Sequence, residues 1–107
     1  MRILVVCGAG ASSTFVAHRL NRAAQDAQLD LTAFAGSLVS LPIDLDTADV
    51  VLVGPHLADS LEVIRTAAAP RGTAAVLLPD DVFADTDGRR VLALVQAVAD
   101  PDASASV

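Results

Sequence analysis

Two runs of aliphatic residues, Ile3-Leu4-Val5-Val6 and Val50-Val51-Leu52-Val53, most constrain how this chain can fold. Neither alternates apolar with polar residues, so neither suits a strand with one wet face. Each reads as a strand covered on both sides, the habit of parallel sheets sandwiched between helices.

Around these runs the periodicity is helical. Beyond Ser12, the residues Val16, Leu20, Ala23, Ala24 and Ala27 recur at i, i+4, i+7, i+8 and i+11, with Arg19, Arg22 and Asp26 on the wet side. Leu29 to Ala35 reads as a weaker second strand, and Pro42 limits any helix between Gly36 and Leu45 to a turn or so. The third strand is expected over Ala48 to Gly54. Pro55 then stands where a helix can begin, and Leu57, Leu61, Ile64 and Ala68 form its apolar stripe. Pro70-Arg71-Gly72 signals a stop and turn, and Thr73 to Leu78 a fourth buried strand. Pro79 to Gly88 reads as loop or short helix. Val91, Leu94, Val95 and Val98 mark the last helix.

The fold class expected is α/β: a single three-layer domain with a four-stranded parallel sheet flanked by helices, Rossmann-like or flavodoxin-like, and a Cys loop after strand 1. The domain is expected over residues 1–100, with 101–107 a frayed polar tail. Ligands of such sheets bind beyond the carboxyl ends of the strands. The Cys7 loop, Gly54-Pro55-His56 and Pro79-Asp80-Asp81 are therefore expected to converge on one edge.

Composition excludes several functions. The net charge is −6 and every basic residue is an Arg, which leaves no basic face for nucleic acid. One cysteine rules out an internal disulfide and Cys-x-x-Cys chemistry, and His18 and His56 do not have the spacing of a metal cluster. Neither metal nor cofactor is expected. No apolar run approaches the ~18 residues of a membrane span. Met1 to Cys7 superficially mimics a signal sequence, but its apolar core is too short and its basic region is one Arg. A cytoplasmic location is expected.

The loop Cys7-Gly8-Ala9-Gly10-Ala11-Ser12-Ser13-Thr14 carries the chemistry. It leaves a buried strand and opens a helix, with Gly8 and Gly10 allowing backbone geometries that other residues resist. Small residues at Ala9, Ala11, Ser12 and Ser13 let successive N–H groups face a common concavity. Such a nest at a helix N-terminus holds an anion without a Lys. Ser12, Ser13 and Thr14 add hydroxyls, one of which can cap the helix. The same field favours the thiolate of Cys7, making it a nucleophile beside a cradle sized for a phosphoryl group. A lone cysteine ending a strand is otherwise a small buried hydrophobe, a role with no use for two glycines and three hydroxyls after it. The Walker pattern needs Gly-Lys-Ser/Thr and the dinucleotide fingerprint a third glycine in register; both are absent here.

Ile3 to Thr14 resembles the N-terminus of enzyme IIB of the sugar phosphotransferase system, lactose/cellobiose type. Ala48 to Pro55 resembles that family's third strand and Gly-Pro turn, and Asp87-Gly88 with the following Ala/Val/Leu helix resembles its ending. The resemblance implies a phosphocarrier: Cys7 accepts a phosphoryl group from phosphohistidine of a IIA component and passes it to a sugar, a β-linked disaccharide, bound by the membrane permease IIC. It also implies that Gly8, Ala9, Gly10, Ala11, Ser12, Ser13 and Thr14 form the phosphate loop and that the protein associates peripherally with the permease. Ala11 stands where family members often have Met, and His56 where they often have Gln. His56 is either a second contact to the phosphoryl group or partner, or a solvent-facing residue at a helix start.

Rival readings rest on single residues. A low-molecular-weight tyrosine phosphatase needs Cys-x5-Arg, and the Arg position here is Ser13. A receiver-like module needs an Asp ending the third strand, where this chain has Gly54. A non-catalytic IIB-like regulatory module would keep the same loop. Asp80-Asp81 either tunes a partner surface or begins a short helix, and Arg89-Arg90 reads as a solvated helix face.

Overall fold

The structure, a computed structural model, describes residues 1–7, 10–82 and 87–99, with only the backbone described at 10–12 and 99. Residues 83–86 of the stretch Pro79 to Gly88, expected as loop or short helix, and the tail over 101–107 lie outside these residues. Strand β1 (Arg2–Val6) pairs on one side with β2 (Thr32–Gly36) and on the other with β3 (Val50–Val53), while β4 (Ala74–Leu77) pairs with the far side of β3. The sheet order is β2-β1-β3-β4 and all pairings are parallel. Val6 lies level with Gly36 and Val53, and Val53 with Leu77. The chain therefore leaves the sheet at Cys7, Gly54 and Leu78 along one carboxyl edge.

The two apolar runs form the two central strands, as their composition requires. Ile3, Val5, Val50 and Leu52 pack under α1 (Gly10–Asp26) and α4 (Arg89–Ala99), against Val16, Leu20, Ala24, Val91 and Val95. Leu4, Val6, Val51 and Val53 pack on the other face under α2 (Leu41–Asp44) and α3 (Leu61–Ala68), against Leu41, Leu45, Ile64 and Ala68. Each such fully buried aliphatic side chain contributes roughly 1.5–3 kcal/mol. Alternation along β1 and beyond it puts Cys7 in the first of these clusters.

The elements depart from expectation mainly at their ends. The second strand starts at Thr32, not Leu29, because α1 closes in a Schellman arrangement that consumes the intervening residues. Leu29 N–H donates to the Ala24 carbonyl and Gln28 N–H to that of Gln25, with Gln28 left-handed at φ 57°. Ala27, expected in the core stripe, is exposed past the helix end. Leu92, absent from the expected stripe of the last helix, is buried. The third and fourth strands are shorter than expected at both ends. Helix α2 is four residues long with Pro42 in its first turn, and a 3-10 turn over Pro55–Ser60 precedes α3.

One polar clasp was invisible in the periodicity. Asn21 on α1 donates to the Ala33 carbonyl (2.9 Å) and accepts from Ala33 N–H (2.7 Å). It thus satisfies backbone groups on the outer side of edge strand β2, which would otherwise invite pairing with another chain.

Candidate functional site

Cys7 follows β1 directly, at the carboxyl edge between β2 and β3, and is 6% exposed. Three residues later α1 begins at Gly10 and runs for 17 residues, with no acidic residue in its first turn. No carboxylate in that turn offsets the positive end of the helix that follows Cys7 in the chain, an arrangement that favours negative charge there. Ser13 in that first turn is buried at 2% exposure, while Thr14 is exposed. Gly8 and Ala9 lie outside the described residues, as do the side chains at Ala11 and Ser12. Gly10, Ala11 and Ser12 belong to α1 by their backbone.

The second expected feature comes directly against the sulfur. Gly54 N–H donates to the Val6 carbonyl at 2.7 Å, and Leu78 N–H to the Val53 carbonyl at 2.7 Å. The start of the turn is therefore stitched to both neighbouring strands. A Cβ on Gly54 would lie 2.8 Å from Cys7 Sγ and 3.1 Å from both Cys7 Cα and Cβ. The backbone there is ordinary (φ −62°, ψ 153°), so the site needs glycine for space rather than for conformation. Sequence reasoning placed a Gly-Pro turn here and missed this contact; the signal was the level ends of the two apolar runs. His56, two residues on in the 3-10 turn, is exposed on the same edge, and His18 is exposed along α1.

The third feature reaches the same edge but turns elsewhere. Asp81 accepts two hydrogen bonds from the Arg90 guanidinium, at 2.9 and 3.1 Å. These bonds from Arg90 hold the Asp81 carboxyl below its ordinary value against an opposing desolvation. Asp81 is thus a strut from the β4 turn to α4, a role the sequence reading did not foresee. Arg89 pairs with Asp87 at 3.6 Å, and Asp87 also accepts from Arg89 N–H at 3.1 Å. Gly88 (φ 73°) brings this start of α4 so close to α1 that a Cβ would collide with the Arg19 carbonyl. Asp80 and Arg90 stand over an apolar groove floored by Leu77, Leu78 and Leu94; Cys7 takes no part in its lining.

The model of the family described as PTS system, lactose/cellobiose specific IIB subunit, matches residues 2–94. The chain belongs to that family. The match runs from β1 into α4 and takes in Cys7, Gly54 and the Asp81–Arg90 strut. Among solved structures, the lactose-specific IIB component domain of the phosphoenolpyruvate:carbohydrate phosphotransferase system from Streptococcus pneumoniae superposes with a TM-score of 0.80 at 16% identity, covering 89% of this chain and 93% of that one. The cellobiose-specific phosphotransferase IIB component protein from Borrelia burgdorferi superposes with a TM-score of 0.69 at 28% identity, covering 88% of this chain and 86% of that one. A search of curated protein sequences returns no match. IIB domains act in sugar uptake by phosphoryl relay, together with IIA and IIC components. Among the described residues of this IIB domain, no helix is long and apolar enough to cross a membrane.

Proposed function

We propose that this IIB domain, residues 1–100, is a phosphocarrier whose acceptor is Cys7. The observation that supports it most is the placement of its one cysteine. Cys7 follows a central strand and stands three residues before the start of a 17-residue helix whose first turn holds no acidic residue. Backbone N–H groups of the loop and first turn, from Gly8 to Thr14, would stabilise charge on the three equatorial oxygens during in-line transfer.

The reaction has two balanced halves. The Cys7 thiolate attacks the phosphorus of phosphohistidine on a IIA component; the S–P bond forms as the N–P bond breaks, and the imidazole nitrogen keeps the electron pair. A hydroxyl of a sugar held by the IIC permease then attacks the same phosphorus. The S–P bond breaks, the thiolate is restored, and the hydroxyl proton passes to a base. No cofactor or metal takes part, and the domain works at the cytoplasmic face of the permease.

A phosphatase-like hydrolysis would need an Arg clamping the phosphoryl oxygens. Ser13 occupies that position and is buried. The first Arg on α1 is Arg19, nine residues beyond Gly10 and so roughly 14 Å further along the helix axis.

The test is intact-mass analysis after incubation with a phosphorylated IIA protein of the lactose/cellobiose type. Wild type should gain one phosphoryl group, labile to acid, and Cys7→Ser none. A wild type that never gains it, or a Cys7→Ser chain that does, overturns the assignment.

A further inference from the structure

Resting on Cys7 as the acceptor, we infer that Gly54 is a positioning residue for the reacting sulfur: the bare backbone of the β3 turn is the wall that seats Sγ and sets the side from which phosphorus can reach it.

The sulfur occupies the space that a Gly54 side chain would fill, with Sγ 2.8 Å from the Cβ position. Real Cβ atoms do not approach other heavy atoms so closely. Rotation about the Cys7 side chain could relieve the sulfur contact alone. It could not relieve the contacts to Cys7 Cα and Cβ, both at 3.1 Å. The wall itself cannot retreat freely. Gly54 N–H is tied to Val6 immediately before Cys7, the preceding carbonyl is tied to Leu78, and Pro55 fixes the next φ.

A consequence follows for the transfer. A phosphorus bonded to Sγ cannot lie on the β3 side, because Gly54 is already there. The phosphoryl group must project away from β3. A methyl group on Gly54 would push the sulfur off this seat and misalign the in-line attack, to which such reactions are sensitive at the ångström scale.

The experiment compares Gly54→Ala with Gly72→Ala. Gly72 is a left-handed turn residue (φ 71°) with nothing within 4 Å of its Cβ position, so its variant is strained without touching Cys7. Two rates are read for each folded variant: phosphoryl gain from a phosphorylated IIA protein, and alkylation of Cys7 by iodoacetamide across a pH series. Gly54→Ala is expected to slow phosphoryl gain at least tenfold, to speed alkylation several-fold by displacing the sulfur outward, and to move its pH midpoint. Gly72→Ala should leave the phosphoryl rate and the midpoint at wild-type values. If Gly54→Ala matches wild type in both rates, or if the two variants change them in equal proportion, Gly54 does not position the sulfur.

Should Gly54→Ala fail to fold, the Cys7→Gly/Gly54→Ala pair tests the same contact. Removing Sγ and Cβ together is expected to restore folding at least in part, and a double variant as unfolded as the single one overturns the inference. Failure of wild type to gain phosphate would defeat the phosphocarrier reading instead, leaving alkylation to decide the role of Gly54.

Discussion

Gly54 opens the crossover from β3 to β4 and Gly72 closes it, at opposite edges of the sheet. Gly54 has a backbone that any residue can adopt, but no room for a side chain. Gly72 has open space around it, but φ is 71° where its N–H caps the turn on Ala69. One glycine is therefore a tertiary requirement and the other a local one. Identical letters in the sequence mark different physics, and substitutions should separate the two.

The largest effect is expected where both reasons coincide. Gly88 is left-handed and also lies against the α1 backbone at Arg19. Gly88→Ala should lose about 1–2 kcal/mol to left-handed strain and roughly 1–3 kcal/mol more to overpacking, read from urea unfolding. A loss no greater than that of Gly72→Ala would show that α4 simply moves aside.

Next in size is Gly72→Ala itself, for which only the strain applies: about 1–2 kcal/mol. Gly72→Asn should recover much of that loss, since Asn tolerates the left-handed region better than Ala does. Equal losses for Ala and Asn would break the claim that conformation alone selects glycine there.

The converse case is Gln28, a side-chain-bearing residue at φ 57° in the cap of α1. Gln28→Gly relieves strain but adds freedom to the unfolded chain, so a net gain of up to about 1 kcal/mol is expected. Destabilisation in urea would mean that the Gln28 side chain holds the cap by contacts rather than merely tolerating it.

The smallest effect concerns a turn that uses charge instead of glycine. The Asp81 carboxyl is lowered in the folded chain by the Arg90 hydrogen bonds. Its contribution is therefore complete above the ordinary carboxyl value of 3.8 and is lost as pH falls through the lowered folded value. Asp81→Asn should lower the melting temperature slightly at pH 6 and leave it unchanged at the acid end of the transition. Both partners are more than half exposed, so the difference should also shrink in high salt.

The same distinction between local and tertiary requirements explains what the sequence disclosed. Ile3 to Val6 and Val50 to Val53 announced themselves because a doubly covered strand needs no information beyond its own residues. The stripe Val16, Leu20, Ala23 and Ala24 was legible for the same reason, and all four are buried. The Cys7 loop suggests chemistry through residue types gathered within one turn, and that reading is the phosphocarrier proposal. The contact between Gly54 and Cys7 joins positions far apart in the chain. It exists only because Val6 and Val53 are level across the sheet. Nor could the pairing of Asp81 with Arg90, or of Asn21 with Ala33, be chosen from sequence among the other polar residues nearby. Local rules placed the elements; the partners of their polar side chains depended on the assembled layers.

The recess of Cys7 bears finally on how the protein endures air. A disulfide requires two sulfurs to approach to about 2 Å. In each copy of the chain the lone thiol sits behind its own backbone at 6% exposure. Two thiols buried to this degree do not reach that distance while each chain stays folded. Solutions left under oxygen should run as monomer on non-reducing gels.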